Sequence, residues 1–479
     1  MPTLKEHLDA IEAQFDLDGH KLEAILSRFR NRMEHGLEKD GQNMAMIPSF
    51  VTGVPDGTEK GTYLALDLGG TNLRVCEVKL DGKGSFEMKQ EKYKVSDEHK
   101  TGKARELFSF IARCVETFLK SESSSHNVAD EELLLGFTFS FPVEQTAIDR
   151  GRLIKWTKGF DAPDAIGQEV VTLLQSCLDE LNVKVRVNAL VNDTVGALLA
   201  HGYQSRGPAL LGAIFGTGTN GAYVEDRRKV AKLEVEDPIR PVPSSMIVNT
   251  EWGGFDDERA VLPVTMFDNL VDRTAIRPRH HAFEKMISGM YLGEVTRTVL
   301  IHLIDNLVLF QGFSSDKFNE MYGFDTAYMS AVMADNDGQS SATRKVLIET
   351  MGLDPANVGA EDVEAVKRVC HFVGRRAARL SAVAIAAVLQ HTNKTQSTGS
   401  GGADDVVEVG VDGSVVEFLP QFTENMKEAL RLMVGAEAEK KTRFGFAKDG
   451  SGVGAALCAL QAKKQAQGTH HPHAKPHHA

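Results

Sequence analysis

Apolar and polar positions alternate along the chain in two rhythms, and these divide it into helices and strands. Residues 3–40 carry apolar positions at helical spacing and read as an amphipathic arm or cap on the surface. Strand patterning begins at Thr62 and includes "YLALDLGG", "LRVCEVKL" and "LLLGFTFSF", with a helical segment, "ARELFSFIARCVETFLK" (104–120), between them. Val185, Val187, Ala189 and Val191 recur at every second residue, which predicts a strand. Val195, Leu198 and Leu199 then recur at helical spacing, with Gly202 placed to end the helix. The second half opens with the strand-like "ALLGAIFG" and turns mainly helical from about 283 to 391. Strands interleaved with helices, plus separate hairpins, predict an α/β protein with mixed sheets.

Three stretches read as loops or tail. "EVEDPIRPVPSS" (234–245) carries three prolines, and "HTNKTQSTGSGGADD" (391–405) is small and polar. The end, "GTHHPHAKPHHA" (468–479), is rich in His and Pro and reads as a disordered tail whose histidines would bind metal only weakly. A length of 479 residues exceeds one core, so two domains or two large lobes are expected. With 42% hydrophobic and 25% charged residues the composition is that of a globular protein, and a net charge of −12 argues against a nucleic-acid partner. Five scattered cysteines without a CxxC pair suit reduced thiols in a cytoplasmic protein. "MPTLKEHLDAIEAQF" lacks the apolar region of a secretory signal. The longest apolar run, "LSAVAIAAVL" (380–389), is too short to span a bilayer and reads as a buried helix.

The chemistry starts at "VRVNALVNDTVGALLAHG" (185–202), where Asn192 and Asp193 sit at the passage from strand to helix. Asn, Asp and Thr are good helix caps, and capping alone would explain them. The ends of strands in an α/β sheet are also where ligands bind, so Asp193 is equally placed to face a substrate. An internal repeat bears on the choice. "ALDLGGTNLRVCEV" (65–78) and "AIFGTGTNGAYVED" (213–226) share an apolar strand, a glycine turn ending Gly-Thr-Asn, and a second strand, so that Gly70-Thr71-Asn72 aligns with Gly218-Thr219-Asn220. Glycine tips let backbone N–H groups close on an anion, and two such tips facing each other would hold a polyphosphate from both sides. "GTGTNG" fits G-x-G-x-x-G literally, but polar, charged sequence follows it where a dinucleotide fold needs a helix. There is no G-x-x-x-x-G-K-[ST] run. "AKDGSGVGAALCAL" (447–460) leads into an alanine-rich helix and suits a nucleotide's base or ribose, and "VGVDGSVVEFLP" (409–420) reads as a further Asp-Gly-Ser hairpin.

These residues resemble the eukaryotic hexokinases and glucokinases. "LDLGGTNLRV", "LGFTFSFPVEQ" with "LIKWTKGF", "VNDTVGALLA", "FGTGTNGAYVE", "VNTEWGGFD", "FEKMISGMYLGEVTR" and "DGSGVGAAL" match that family's motifs in order over roughly residues 60–460. The resemblance implies a two-lobed, actin-like ATPase (ribonuclease H-like) fold with mixed sheets and a central cleft. It divides the chain into an N-terminal helical arm (1–60), a small lobe (61–190), a large lobe (191–460) whose last helix packs back on the small lobe, and a tail (461–479). It implies transfer of the ATP γ-phosphoryl to the 6-hydroxyl of glucose and other hexoses, with Mg-ATP as substrate, no nucleic-acid or membrane-spanning role, and a monomer or homodimer. Asp193 matches the general base, with Lys158 beside it. Ser140, Thr157, Lys158, Asn192, Asn220, Glu251 and Glu284 match the sugar contacts. Asp67, Gly69, Gly70, Thr71, Asn72, Gly216, Thr217 and Gly218 would meet the phosphates, with Asp67 near the Mg²⁺ through water and no dedicated metal ligands. Gly413, Ser414, Gly450 and Ser451 would border the adenosine, and Arg74 and Thr326 are lesser phosphate contacts. An actin- or Hsp70-like ATPase would lack the sugar motifs, and a silent sugar sensor would have lost Asp193 or a phosphate glycine.

Overall fold

The computed structural model describes residues 2–69, 71–121, 132–156, 159–233, 244–395, 406–447 and 449–467. Residues 468–479, most of both predicted loops, and Gly70, Thr157 and Lys158 lie outside the described residues, whereas 461–466, expected to belong to the tail, continue the helix Gly450–Ala466.

Thirteen strands lie among the described residues: β1 (Ile47–Pro48), β2 (Lys60–Leu68), β3 (Asn72–Asp81), β4 (Phe86–Lys94), β5 (Leu133–Phe139), β6 (Val143–Ala147), β7 (Arg150–Leu153), β8 (Val185–Val191), β9 (Ala209–Phe215), β10 (Thr219–Asp226), β11 (Ser245–Asn249), β12 (Val407–Asp412) and β13 (Thr442–Phe446). One sheet runs β4-β3-β2-β5-β8; the other runs β1-β11-β10-β9-β12-β13; β6 and β7 form a separate hairpin. In the first sheet β2 pairs antiparallel with β3 and parallel with β5, which is parallel to β8. In the second, β9 pairs antiparallel with β10 and parallel with β12, which is parallel to β13. The two sheets thus repeat one topology, and the paired Gly-Thr-Asn turns are its most visible trace in the sequence.

Layering follows from which faces are apolar. The helices Ala104–Lys120 and Val170–Glu180 bury Phe108, Ile111, Val115, Leu174 and Leu178 against the outer face of the first sheet. Between the sheets lie two helices, Asp193–Ser205 on the second sheet and Gly450–Ala466 on the first. Glycines set their approach: a Cβ on Gly454 would lie 2.2 Å from the Gly196 Cα, one on Gly136 of β5 would lie 2.0 Å from the Ala455 carbonyl, and one on Gly212 of β9 would lie 2.5 Å from the Leu198 nitrogen. Beyond the second sheet lies the largest core, built around the 32-residue helix Ala360–His391, whose "LSAVAIAAVL" run is buried as expected. Residues 3–40 form two helices, Leu4–Phe15 and Gly19–Glu38, capped by Thr3 and Asp18. Their apolar faces join that same core, and Arg368, Arg375 and Arg379 of the long helix pair with Asp9, Glu12 and Asp16.

Two local expectations are corrected. Gly202 does not end its helix, which runs to Ser205 and closes on Arg206 at φ 56°. A Cβ at Gly202 would meet Val54 Cγ1 at 2.9 Å, so the glycine serves close packing. "VGVDGSVVEFLP" is no hairpin: β12 ends at Asp412 and the short helix Ser414–Phe418 follows directly. Gly413, at φ 116°, makes that turn, and a Cβ there would lie 2.5 Å from the Phe215 backbone.

Candidate active site

Parallel pairing places the first set of predicted residues. Leu68 aligns with Phe139, and Thr138 with Val191, so β2, β5 and β8 end along one edge. Asp67, Gly69, Ser140, Asn192 and Asp193 therefore lie side by side at the carboxyl ends of parallel strands, the usual ligand edge of such a sheet. Asn192 is the helix cap: its Oδ1 accepts the Thr194 N–H at 2.9 Å, in extended backbone at ψ 147°. Asp193 occupies the first helical position and also accepts the Thr194 N–H at 2.9 Å. Capping is thus met by its neighbour, and Asp193 is not required for it. Beyond Ser140, the rings of Phe139, Phe141, Trp156 and Phe160 pack together with centroids 4.8–5.9 Å apart, Trp156 edge-on to Phe139 and Phe141 and stacked on Phe160, and fix the chain on either side of Thr157 and Lys158.

The first glycine turn is closed by the Gly69 N–H on the Asn72 carbonyl at 3.0 Å, and Thr71 and Asn72 are exposed. Asp67 faces Arg74 across β2 and β3, and Arg74 Nε lies 3.2 Å from Asp67 Oδ2. Ser451 joins this pair, accepting from Arg74 Nη2 at 2.8 Å and donating to Asp67 Oδ2 at 3.0 Å. Its carbonyl takes the Thr138 hydroxyl at 3.1 Å. Residues separated by almost the whole chain therefore meet at one carboxylate.

The second turn is one residue tighter. Phe215 pairs with Thr219, leaving Gly216, Thr217 and Gly218, with the Gly216 N–H on the Gly218 carbonyl at 3.0 Å. Gly413 packs on it, since a Cβ on Gly216 would lie 3.3 Å from the Gly413 Cα, with the Ser414 nitrogen at 3.6 Å. The Gly289 and Met290 N–H groups donate to the Gly216 and Thr217 carbonyls at 2.7 and 3.2 Å. Thr326 stands behind this layer, donating to the Gly289 carbonyl at 2.5 Å and accepting the Gly293 N–H at 2.8 Å. Its hydroxyl is committed to holding the turn. Gly450 opens the last helix after Asp449, whose φ is 55°. Burial raises the Asp412 carboxyl at the end of β12, and the Asp449 charge adds to that, against the Gly413 N–H, which it accepts at 2.7 Å.

A third group gathers on the same side of the second turn. Asn220 Nδ2 donates to Asn249 Oδ1 at 2.8 Å and to Glu251 Oε1 at 3.1 Å, and Asn249 Nδ2 donates to that same oxygen at 2.8 Å. Glu284 Oε2 accepts the Thr219 N–H at 3.1 Å, and a Cβ on Gly218 would lie 2.8 Å from that oxygen. The Trp252 indole N–H donates to the Thr219 hydroxyl at 3.0 Å. Glu251, Asp256, Arg259, Arg279 and His281 all have φ between 53° and 67°, a clustering of left-handed non-glycine residues that goes with functional sites. Asn249, Thr138 and His281 were not singled out from the sequence, although Asn249 stands only two residues before Glu251, and Thr219 entered only as part of the Gly218-Thr219-Asn220 turn.

Hexokinase family models match residues 7–203 and 210–461. The chain is 42% identical to a glucokinase of Aspergillus niger over 97% of its length and 98% of that protein's. It is 38% identical to a Schizosaccharomyces pombe hexokinase-1, covering 97% of this chain and 92% of that one. Among solved structures, a Schistosoma mansoni hexokinase complexed with glucose superposes with a TM-score of 0.81 at 36% identity, over 96% of this chain and 99% of that chain. Another hexokinase crystal structure gives 0.82 at 29% identity, with the same coverage of each chain. The expected two-lobed actin-like ATPase fold is therefore the observed one. No helix among the described residues is long and apolar enough to cross a membrane. With its two repeated sheets, its glycine turns and its sugar motifs in order, the chain belongs to the hexokinase family, the ATP:hexose 6-phosphotransferases.

Proposed function

We propose that the enzyme phosphorylates glucose, and other hexoses of the same stereochemistry, at O6 from Mg-ATP, with Asp193 as general base. The observation that carries this reading is the shared edge of β2, β5 and β8. It sets Asp193 beside Ser140, where the sugar motif lies, and near Asp67, where the first phosphate turn lies. Phosphoryl transfer asks for positioning and charge stabilisation more than covalent chemistry. Asp193 orients the 6-hydroxyl and takes its proton late, since an ordinary carboxylate is a weak base toward an alcohol. Lys158, by its motif, is assigned a catalytic role beside it.

Ser140, Thr157, Lys158, Asn192, Asn220, Glu251 and Glu284 hold the sugar hydroxyls. The Asn220–Asn249–Glu251 network supports this, because each of its groups is already fixed by a neighbour and so is aimed before a sugar arrives. Gly69, Gly70, Thr71, Asn72, Gly216, Thr217 and Gly218 receive the phosphates, and Gly413, Ser414, Gly450 and Ser451 the adenosine. Mg²⁺ enters with ATP as part of the substrate and neutralises phosphate charge. Asp67, pinned through one oxygen by Arg74 and Ser451, meets the ion through water. The cleft lies between a small lobe (61–190) and a large lobe (191–460), with residues 1–60 and the last helix packed on them. The enzyme acts in the cytoplasm as a monomer or homodimer; five free, buried cysteines accord with a reducing compartment.

The test is Asp193→Ala. We expect an intact fold by circular dichroism and sugar-dependent ADP release lower by ~10²–10⁴-fold or more. A turnover close to that of the unaltered enzyme would remove Asp193 from the chemistry.

A further inference from the structure

Glu284 reaches the site with both carboxylate oxygens engaged. Oε2 accepts the Thr219 N–H at 3.1 Å, and Oε1 lies 3.2 Å from Nδ1 of His281, one helical turn earlier. His281 stands at φ 58° just before the helix Ala282–Ile287, and its ring packs over Gly253, where a Cβ would come within 3.5 Å of Nδ1. The side chain is 45% exposed, so it exchanges protons with solvent.

The charged groups around that ring are mostly acids. Glu284 lies on its own helix, Glu251 and Asp257 come from the segment after β11, and His280 is its neighbour in sequence. Asp257 is itself engaged: Oδ1 accepts the Ala282 N–H at 2.8 Å, and Oδ2 lies 3.8 Å from the His280 Nδ1. Lys285 is drawn away, its ammonium 2.7 Å from buried Asp272. Among the described residues, the imidazole is the group in contact with Glu284 whose charge can change near neutral pH.

We propose that His281 is a positioning residue for Glu284, its protonated ring fixing the carboxylate toward the sugar, so that hexose affinity falls as the imidazole loses its proton. This rests on the reading above that Glu284 holds the sugar. The bond to Glu284 holds the His281 imidazole above its ordinary value, against a smaller opposing effect of burial. The ring thus keeps its charge into the neutral range and loses it as pH rises further. A charge-assisted bond then becomes a weaker neutral one, and Glu251, Asp257 and Glu284 lose the cation among them.

Intrinsic fluorescence reads this without ATP, because Trp252 donates to Thr219 at the same carboxylate. With glucose as the probe, we expect the dissociation constant of the unaltered enzyme to rise about three- to tenfold between about pH 6 and about pH 8.5, the difference between a charged and a neutral hydrogen bond. The KM for glucose should follow it while kcat does not. His281→Gln, which puts a hydrogen-bonding amide that does not titrate in place of the imidazole, should flatten the profile. A flat profile in the unaltered enzyme, or a slope that survives in His281→Gln and so belongs to Asp257 or another group, would overturn the proposal. Glu284→Gln separates the two levels: unchanged glucose affinity there would remove Glu284 from the sugar site, whereas weakened affinity together with an unaltered slope in His281→Gln would remove only the role of His281.

Discussion

At the scale of single residues, the site is organised by carboxylates that are held before any substrate arrives. Asp67 shows this best, with its Oδ2 shared by Arg74 and Ser451. Arg74→Ala takes away the guanidinium that fixes this carboxylate and that also reaches Ser451 at 2.8 Å. Because these groups border the proposed nucleotide site and not the sugar, the KM for ATP should rise roughly tenfold, the order expected for a charged hydrogen bond, while glucose affinity holds steady. Initial-rate measurements varying each substrate in turn check the split. An equal loss for both substrates would place Arg74 in the general architecture. The sequence made this residue visible only as a lesser phosphate contact. Its pairing with Asp67 is set by strand register, which the alternation of "LDLGGTNLRV" fixes once the turn is known. Its tie to Ser451 spans 377 residues and has no local signature.

At the scale of elements, periodicity identified most of what was built. β8, the helix that Asp193 opens and the buried run at 380–389 stand where their apolar spacing puts them, because each buries one continuous face. The misreadings share a cause: a glycine has several structural uses, and sequence alone does not say which is in force. Gly202 packs instead of capping, and Gly413 turns a strand into a helix instead of a hairpin. Glu284 was found through its motif, but its contact with the Thr219 backbone, 65 residues away, depends on how a helix meets a strand turn. The crossing of the two central helices is the most exacting contact of this kind. A methyl on Gly454 would fall 2.2 Å from the Gly196 Cα, where only backbone could give way. Gly454→Ala should therefore cost about 1–3 kcal/mol of stability through overpacking and displace the start of the Asp193 helix. Thermal unfolding should show a melting temperature lower by several degrees, with kcat reduced alongside it. Unchanged values of both would mean that the crossing tolerates separation.

At the scale of the whole molecule, the first 38 residues are part of the large core and not an appendage, since Phe15, Leu22 and Phe29 are fully or almost fully buried. Charge fastens them as well: Arg28 and Arg32 of the second helix both reach Glu258. Burial pulls the Glu258 carboxyl up, but its own backbone N–H and the Arg32 and Arg28 guanidiniums outweigh it, bringing it from 4.5 down to about 2. A carboxylate lowered on folding adds stability that is complete above its unfolded value and is lost as pH falls through its folded one. The melting temperature should therefore fall as pH is taken from about 4.5 toward about 2, and Glu258→Gln should remove part of that dependence. An identical acid profile in the variant would show that the pairing adds nothing, as many exposed pairs do.

The helix Gly450–Ala466 is the last element among the described residues, yet it covers the inner face of the sheet formed by β2, β5 and β8. During translation that face must wait, with Tyr63, Ala65, Ala189 and Val191 bare, until the helix beginning at Gly450 has been made. A ribosome halted before position 450 would carry a nascent chain lacking Ser451 and the cover over its oldest strands. Such a chain should be inert and a client for chaperones, so that activity switches on only once the helix Gly450–Ala466 has been added.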